Sequence, residues 1–208
     1  DMFNSLNLAQ DLAPLVHLEK RKPQGTENLY GILHAIKNKK QIKFTYQNFY
    51  EEHSSQRIVD PYVLKEFKNR WYILAKDSKD GQVKSFALDR LKGFEITNHP
   101  YQHSEIPNIE NTYQYCFGIV GPNQAAPEEI ILSFEPFQGK YIKTLPLHDT
   151  QEILIDNEDE LKIKIKVFPT HDLVMELLSF GDKMKVIHPQ SLSDNVQRIL
   201  AALKQYEK

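Results

Sequence analysis

The stretch RWYILAKDSKDGQVKSFALDRL, residues 70–91, holds two apolar segments on either side of a polar turn. Trp71 to Ala75 and Val83 to Leu88 have the β-branched and aromatic content of strands, and Asp80-Gly81 suits a tight hairpin turn. We therefore predict a β-hairpin. It ends on Asp89-Arg90, an acid–base pair set between two leucines. A hairpin requires no arginine at that place, so the pair points to a role beyond folding.

The residues around this hairpin predict one helix and further strands. Residues 29–36 place apolar side chains at helical spacing, with Asn28 as the expected N-cap. Residues 42–46 alternate apolar and polar side chains, as in a strand with one buried face. A second strand covers 57–63, where a proline predicts an edge position or a bulge, and a short one covers 94–97. These elements together predict a small β-barrel.

The second half of the sequence has a different pattern, in which strands and helices alternate. The order is βαββαβ followed by a terminal helix, which matches a ferredoxin-like arrangement. We predict an α+β protein, with an Sm-like or SH3-type barrel followed by a ferredoxin-like module. The predicted divisions are a linker from an upstream domain at 1–28, the barrel at 29–99, a connector at 100–127 and the second module at 128–208.

Composition excludes several classes of protein. The 208 residues are 40% apolar and 26% charged, which is typical of a globular protein. The sequence shows no apolar run long enough for a membrane span and no secretion signal. Its one cysteine, Cys116, excludes an internal disulfide and fits a reducing cytoplasm. We expect a cytoplasmic protein with no membrane partner.

Charge is distributed unevenly along the chain. Residues 29–100 carry a net charge of +5, whereas residues 128–208 carry −4. A basic first half favours an anionic ligand there, although solvated surface lysines explain much of the same excess.

Motifs for catalysis are absent from the sequence. The eight histidines form no HxH or HExxH spacing; His99 and His103 have the HxxxH spacing, but they lie in a proline-flanked loop and not on a helix, which argues against a zinc pair. No GxSxG, GxGxxG or GxxxxGK[ST] occurs. Cys116 lies between two aromatic residues, which favours packing over nucleophilic catalysis. We predict no catalytic residues, no metal ligands and no cofactor, so the protein is not expected to be an enzyme.

Basic and aromatic residues of the first half are the remaining candidates for a site. Arginines at strand ends can converge where their guanidinium groups suit phosphate oxygens, and nearby rings can stack on bases. The alternative is a set of surface ion pairs, Asp89 with Arg90 or Asp60 with Arg57. The candidate ligand-binding residues are Arg90, Arg57, Lys84, Tyr46, Tyr62 and Arg70.

Several motifs resemble those of the WYL-domain family, in the family's order. Trp71-Tyr72-Ile73 resembles the Trp-Tyr-Leu signature, and residues 84–91, KSFALDRL, are similar to R-x-F-x-L-D-R-I. Residues 42–46 and 57–61 resemble I-x-F-x-Y and R-x-(V/I)-x-P. Further motifs resemble the C-terminal extension called WCX: Phe117-Gly118-Ile119, LSFGD at 178–182 and VIHP at 186–189.

The resemblance implies a bacterial transcriptional regulator whose WYL barrel senses a nucleotide or a short single-stranded nucleic acid. In such regulators a winged helix-turn-helix precedes the barrel and binds DNA, and residues 1–28 match none, so the chain resembles the sensing part. Two-fold DNA sites favour a homodimer. We expect its buried surfaces to be the apolar helical stripe at 192–203 and the cluster at 113–117, with packing inside the chain as the alternative for both. Two positions depart from the family's pattern: Lys84 stands where the family usually has arginine, and Ala87 stands where a second basic residue is common. The alternatives are an oligomerisation module without a ligand, and a nucleotide hydrolase.

Overall fold

The computed structural model describes residues 21, 23–101, 111, 113–121 and 126–203. The predicted linker, residues 1–28, therefore lies mostly outside the described residues, as does much of the predicted connector. Within the described part, none of the helices is long and apolar enough to cross a membrane.

The first half folds as a helix and a five-stranded antiparallel sheet. Helix α1 is Leu29–Lys37, and the strands are β1 Lys40–Tyr46, β2 Ser55–Phe67, β3 Arg70–Asp77, β4 Val83–Ala87 and β5 Leu91–Pro100. Their order in the sheet is β4-β3-β2-β1-β5. The predicted hairpin is confirmed as the β3–β4 pair. Hydrogen bonds among the described residues do not close this sheet into a barrel.

The second half contains a four-stranded antiparallel sheet and three helices. The elements are β6 Glu128–Phe134, α2 Pro136–Thr144, β7 Glu152–Asp156, β8 Leu161–Val167, α3 His171–Ser179, β9 Met184–His188 and α4 Gln190–Leu203. The order in the sheet is β7-β8-β6-β9. The predicted sequence of elements is thus confirmed, and the molecule is a mixed α/β structure consistent with the α+β class.

The alternation of side chains explains the core of each half. Ile42 and Phe44 on β1 are buried against Ile32 of α1, as the one-sided strand pattern predicts. In the second half, the alternating residues of β8, from Leu161 to Val167, contribute to the core while their lysine neighbours face outward.

The apolar stripe of α4 is also part of this second core. Leu192 and Val196 are buried there, and Ile199 and Leu200 pack partly against it. Packing within the chain, the alternative to a dimer surface, therefore accounts for the burial of Leu192 and Val196. The Leu203 side chain lies outside the described set.

The side chains at the N-cap positions of α1 and α3 do not cap their helices. Asn28 holds the N-cap position of α1, but its side chain makes no capping hydrogen bond, because its own backbone is helical. Thr170 precedes α3 in an extended conformation, yet its hydroxyl donates to the Phe117 carbonyl instead of capping the helix.

The proline in β2 was predicted to mark an edge strand or a bulge. Pro61 lies at a register shift between β2 and β3, so the bulge is confirmed. The edge position is wrong, since β2 is a central strand.

Candidate anion-binding site

A cavity of about 710 Å³ lies beside β4, between the first sheet and the connector. Four of the six candidate residues line it: Tyr46, Arg57, Lys84 and Arg90. The rest of the wall comes from the loop after β1, the β3–β4 turn and β4, and from residues of the connector. These are Asn48, Glu51, Gly81, Gln82, Val83, Ser85, Phe86, Tyr113, Ile119, Val120 and Gly121.

A buried carboxylate fixes two of the cations. Asp77 at the end of β3 has a side chain with no solvent exposure. One of its oxygens accepts from Arg57 Nη1 at 2.8 Å and from Lys84 Nζ at 3.1 Å, and the other accepts from the Lys79 N–H. Lys84 also pairs with Asp80 across the turn. Asp77 therefore holds two side chains from different strands at one wall of the cavity.

The pKa of Asp77 reflects this arrangement. Burial alone would raise the pKa of the carboxyl group, because it disfavours the charged form. Hydrogen bonds from the Lys79 N–H and from Lys84, and the charges of Lys84 and Arg57, outweigh burial and hold the pKa of Asp77 below its ordinary value. Asp77 is therefore ionised at neutral pH and offers one negative charge to both cations.

Arg90 is held differently, by aromatic rings. It ends a 3-10 turn, Leu88–Arg90, that joins β4 to β5. Its guanidinium carbon lies 4.8 Å from the ring centroid of Phe49 and 5.6 Å from that of Tyr46, which is cation–π geometry. Its Nε is 3.6 Å from an Asp89 oxygen, and both atoms are buried without a hydrogen-bond partner among the described residues. Arg90 therefore presents a charge that the described protein groups satisfy only in part.

Tyr46 connects Arg90 to the sheet. Its hydroxyl oxygen accepts from the Ala87 N–H at 3.3 Å, and its ring packs edge-on against Phe44 and Phe86. Burial raises the pKa of Tyr46, so the ring stays neutral. A neutral ring in this position can stack or donate a hydrogen bond without repelling an anion.

The remaining two candidates lie outside the cavity. Tyr62 is buried, and its ring packs against that of Tyr101. Arg70 lies at the start of β3, where its Nη1 donates to Asp89, and it lines a separate cleft. The alternative pairing of Asp60 with Arg57 is wrong, because residues three apart in a strand face opposite sides; Asp60 accepts from Gln41.

The connector wall is attached to both halves of the molecule. The Ser85 hydroxyl of β4 donates to the Ile119 carbonyl at 2.6 Å. The Ile119 N–H donates to an Asp172 oxygen at 3.0 Å, in the first turn of α3. Gly118 has a φ of 78°, and a Cβ there would lie 2.3 Å from the same carboxylate. The backbone of Ile119 in the cavity wall is thus held between the first sheet, through its C=O, and α3, through its N–H.

Sequence reasoning missed Asp77 and Phe49. Asp77 is 20 residues from Arg57, and only the β2–β3 register brings the two together. Phe49 follows β1 in a polar loop and remains 73% exposed, which is unusual for a phenylalanine. An aromatic residue in a polar loop was the one signal available in the sequence.

A metal site and a reactive thiol are the two catalytic features that can be compared with the described structure. Among the residues it covers, no cluster of three His, Cys, Asp or Glu side chains could hold a metal ion. Cys116 is buried, as its predicted packing role requires, and burial raises the pKa of its thiol. A thiol with a raised pKa is a poor nucleophile at neutral pH.

Comparisons with known proteins identify the family. The family model described as the WYL domain matches residues 27–96, and the WCX domain model matches residues 126–204. The chain belongs to the WYL-domain family. The WYL match contains Tyr46, Arg57, Lys84 and Arg90, whereas the connector wall lies between the WYL and WCX matches.

Two solved structures match this chain. Proteasome accessory factor B/C (PafBC) of Arthrobacter aurescens matches 93% of this chain at 22% identity with a TM-score of 0.39, over 29% of that chain. A crystal structure of a CRISPR Cas-related protein matches 88% at 14% identity with a TM-score of 0.53, over 54% of that chain. This WYL chain thus spans less than a third of the first of these chains and about half of the second. The comparison with curated proteins gave no match.

Proposed function

We propose that this chain is the sensing part of a WYL-type transcriptional regulator, and that its cavity binds a nucleotide or a short single-stranded nucleic acid. The observation that carries the proposal is Arg90, whose guanidinium lies on two aromatic rings at the wall of the cavity. Its terminal N–H groups make no hydrogen bond to the described residues, so they are available to an anionic ligand in the cavity.

The chemistry of the cavity supports an anionic, aromatic ligand. A volume of about 710 Å³ falls within the usual range of small-molecule sites. Arg57 and Lys84 share the charge of Asp77, and Arg90 adds a third cation, so the wall can neutralise phosphate oxygens. Tyr46 offers a ring on which a base can stack. Binding and not catalysis is therefore the role we assign to this site.

The wider proposal concerns architecture and partners. The order β7-β8-β6-β9 with intervening helices supports a ferredoxin-like second module at 128–208, and the five consecutive antiparallel strands at 29–99 support an Sm-like barrel. DNA would be contacted through an upstream helix-turn-helix, in the cytoplasm. The chain alone would then bind duplex DNA weakly and without sequence preference, which a gel shift against unrelated duplexes would measure.

A homodimer is a second part of the proposal, and an oligomerisation role is the alternative function. Phe137, Tyr141 and Leu145 lie four residues apart along α2 and its C-terminal end, and each is more than half exposed. Such an exposed apolar row is typical of an interface. Light scattering that found only a single 24 kDa species at high concentration would contradict the dimer. A dimer that binds no nucleotide or oligonucleotide would favour the alternative function.

The substitution Arg90→Ala tests the sensing site. We expect it to weaken binding of a labelled oligothymidylate by about 1.5–3 kcal/mol, the range for hydrogen bonds to charged groups. The melting temperature should change little, because Arg90 Nε makes no hydrogen bond to the described protein. Fluorescence anisotropy and thermal denaturation give the two readouts. Arg198→Ala, an exposed arginine of α4, is the matched control.

Salt provides an independent check on Arg90. The slope of log K against log salt should fall by about 0.7 for each phosphate of a single strand that the variant no longer neutralises. If Arg90→Ala instead lowers the melting temperature steeply and leaves affinity unchanged, Arg90 is structural and the proposed site is wrong.

A further inference from the structure

A second cleft, of about 400 Å³, opens on the other side of the Leu88–Arg90 turn. It combines basic and aromatic side chains, as the first cavity does, with one carboxylate. Its lining is Arg21, Pro23, Gln24, Phe49, Lys68, Asn69, Arg70, Trp71 and Asp89.

One layer of side chains separates the cleft from the cavity. Asp89 lines the cleft, and the next residue, Arg90, lines the cavity. Phe49 lines the cleft, and its ring centroid lies 4.8 Å from the Arg90 guanidinium carbon. Since Phe49 is 73% exposed, this partition is open at its outer edge. A chain molecule can therefore pass from one compartment to the other over the Phe49 ring.

Arg70 provides unused donors in the cleft. Its Nη1 donates to Asp89, and this is the only hydrogen bond of the Arg70 side chain within the described part of the chain. A guanidinium has five N–H donors, and the Arg70 side chain is 57% exposed. The pair with Asp89 thus orients Arg70 without using up its capacity to bind an anion.

The turn between β2 and β3 adds a further cation. Lys68 and Asn69 both have positive φ, 49° and 62°, in the two-residue turn that brings β3 back along β2. Glycine is the usual solution for such a turn, and a lysine there is strained. Lys68 pairs with Glu176 of α3 at 2.8 Å but stays half exposed. The strained turn thus places a cation beside Arg70 at the rim of the cleft.

We propose that this cleft is a second nucleotide subsite, so that a single-stranded oligonucleotide occupies the cavity with one nucleotide and the cleft with its neighbour. The base of the nucleotide in the cleft stacks on the exposed face of Phe49, and Arg70 and Lys68 contact the phosphate that follows it. This inference rests on the proposed function of the first cavity. It adds that the ligand is an oligonucleotide and not a mononucleotide.

A length series tests the subsite. Titrations compare thymidine 5′-monophosphate with the tetranucleotide dT4, on the wild-type chain and on Arg70→Gln and Lys68→Gln. The glutamine of Arg70→Gln keeps a donor for Asp89 while removing the charge. The wild type should bind dT4 at least tenfold more tightly than the mononucleotide. Each variant should weaken dT4 binding about fivefold to tenfold and reduce its salt slope by about 0.7, with mononucleotide affinity within twofold.

The outcomes separate this inference from the function on which it rests. The subsite is overturned if the wild type binds dT4 and the mononucleotide with equal affinity. It is also overturned if Arg70→Gln weakens the binding of both ligands equally. In either case the proposed function of the cavity stands. No binding of either ligand would overturn both. Arg198→Gln is the control for loss of an exposed positive charge. A titration with rU4 in place of dT4 shows whether the subsite prefers a single strand of RNA or of DNA.

Discussion

The two halves of the molecule use their positive charges in opposite ways. In the second half, lysines pair with carboxylates at the surface: Lys143 with Asp156, Lys162 with Glu160, Lys164 with Glu152 and Lys183 with Glu135. In the first half, Arg57 and Lys84 converge on one buried carboxylate, and Arg90 Nε has no hydrogen bond among the described residues. The arrangement of the positive charges, more than their number, therefore distinguishes the candidate site from the rest of the surface.

The largest effect is expected from Asp77→Ala. The substitution leaves Arg57 and Lys84 facing each other without a shared counter-charge, and the Arg57 side chain is only 14% exposed. Removal of one partner from a buried ion pair costs about 3–5 kcal/mol of folding free energy. Denaturant unfolding should therefore show a loss of about 3 kcal/mol, at the lower end of that range. Nucleotide binding should also weaken, since both cations lose their positions.

A control from the second half sharpens this test. Asp156→Ala removes a carboxylate from the exposed pair with Lys143 and should change stability by less than about 1 kcal/mol. Similar losses for the two variants would show that Asp77 is an ordinary surface partner, and the contrast between the halves would be wrong.

Acid should destabilise the protein through the same residue. The folded-state pKa of Asp77 lies below its ordinary value of 3.8, so the charged form is stabilised by folding. Its contribution is present above the unfolded pKa of about 3.9 and is lost as pH falls through the lower folded-state pKa. Unfolding free energies measured from about pH 5 to about pH 2 should fall more steeply for the wild type than for Asp77→Asn. Parallel curves for the two proteins would exclude this role.

The connection between the halves should give a smaller effect. Asp172→Ala removes the acceptor of the Ile119 N–H and an acidic side chain from the first turn of α3. We expect a loss of about 1–2 kcal/mol in stability. Nucleotide affinity should fall as well, because Ile119 lines the cavity. Asp182→Ala, whose side chain is 86% exposed, should alter neither stability nor calorimetric binding.

Much of the fold could be predicted because local patterns determine it. The alternation of Ile42 and Phe44 required one buried face, and Asp80-Gly81 required a turn. The helical stripe from Leu192 to Leu203 was predicted as well, but the sequence left open what would cover it, because the burial of Leu192 and Val196 within the chain depends on tertiary packing.

The site could be predicted only in part, for a physical reason. Strand positions indicated which cations are near a sheet end, but the register of β2 against β3 decides that Arg57 meets Asp77 and not Asp60. Tyr62 follows Pro61 at the register shift and packs against Tyr101, away from the cavity. A bulge of one residue changes the face to which a side chain points, and no local pattern records it.

The smallest effect is expected from Lys143→Met in the second half. Both carboxylate oxygens of Asp156 accept from Lys143 Nζ, at 3.0 and 2.9 Å, so the pair has good geometry. The two side chains are nevertheless 36% and 46% exposed, and water solvates both charges when the pair is broken. Methionine keeps the apolar stem of the lysine and removes only the charge. The change in unfolding free energy should therefore stay within about 0.5 kcal/mol, the usual value for an exposed pair, and should vanish in molar salt. Oligonucleotide affinity should be unaffected, because Lys143 lies on α2 and lines neither the cavity nor the cleft. If Lys143→Met instead weakens oligonucleotide binding as much as Arg90→Ala does, binding depends on overall charge, and the contrast between the two halves fails.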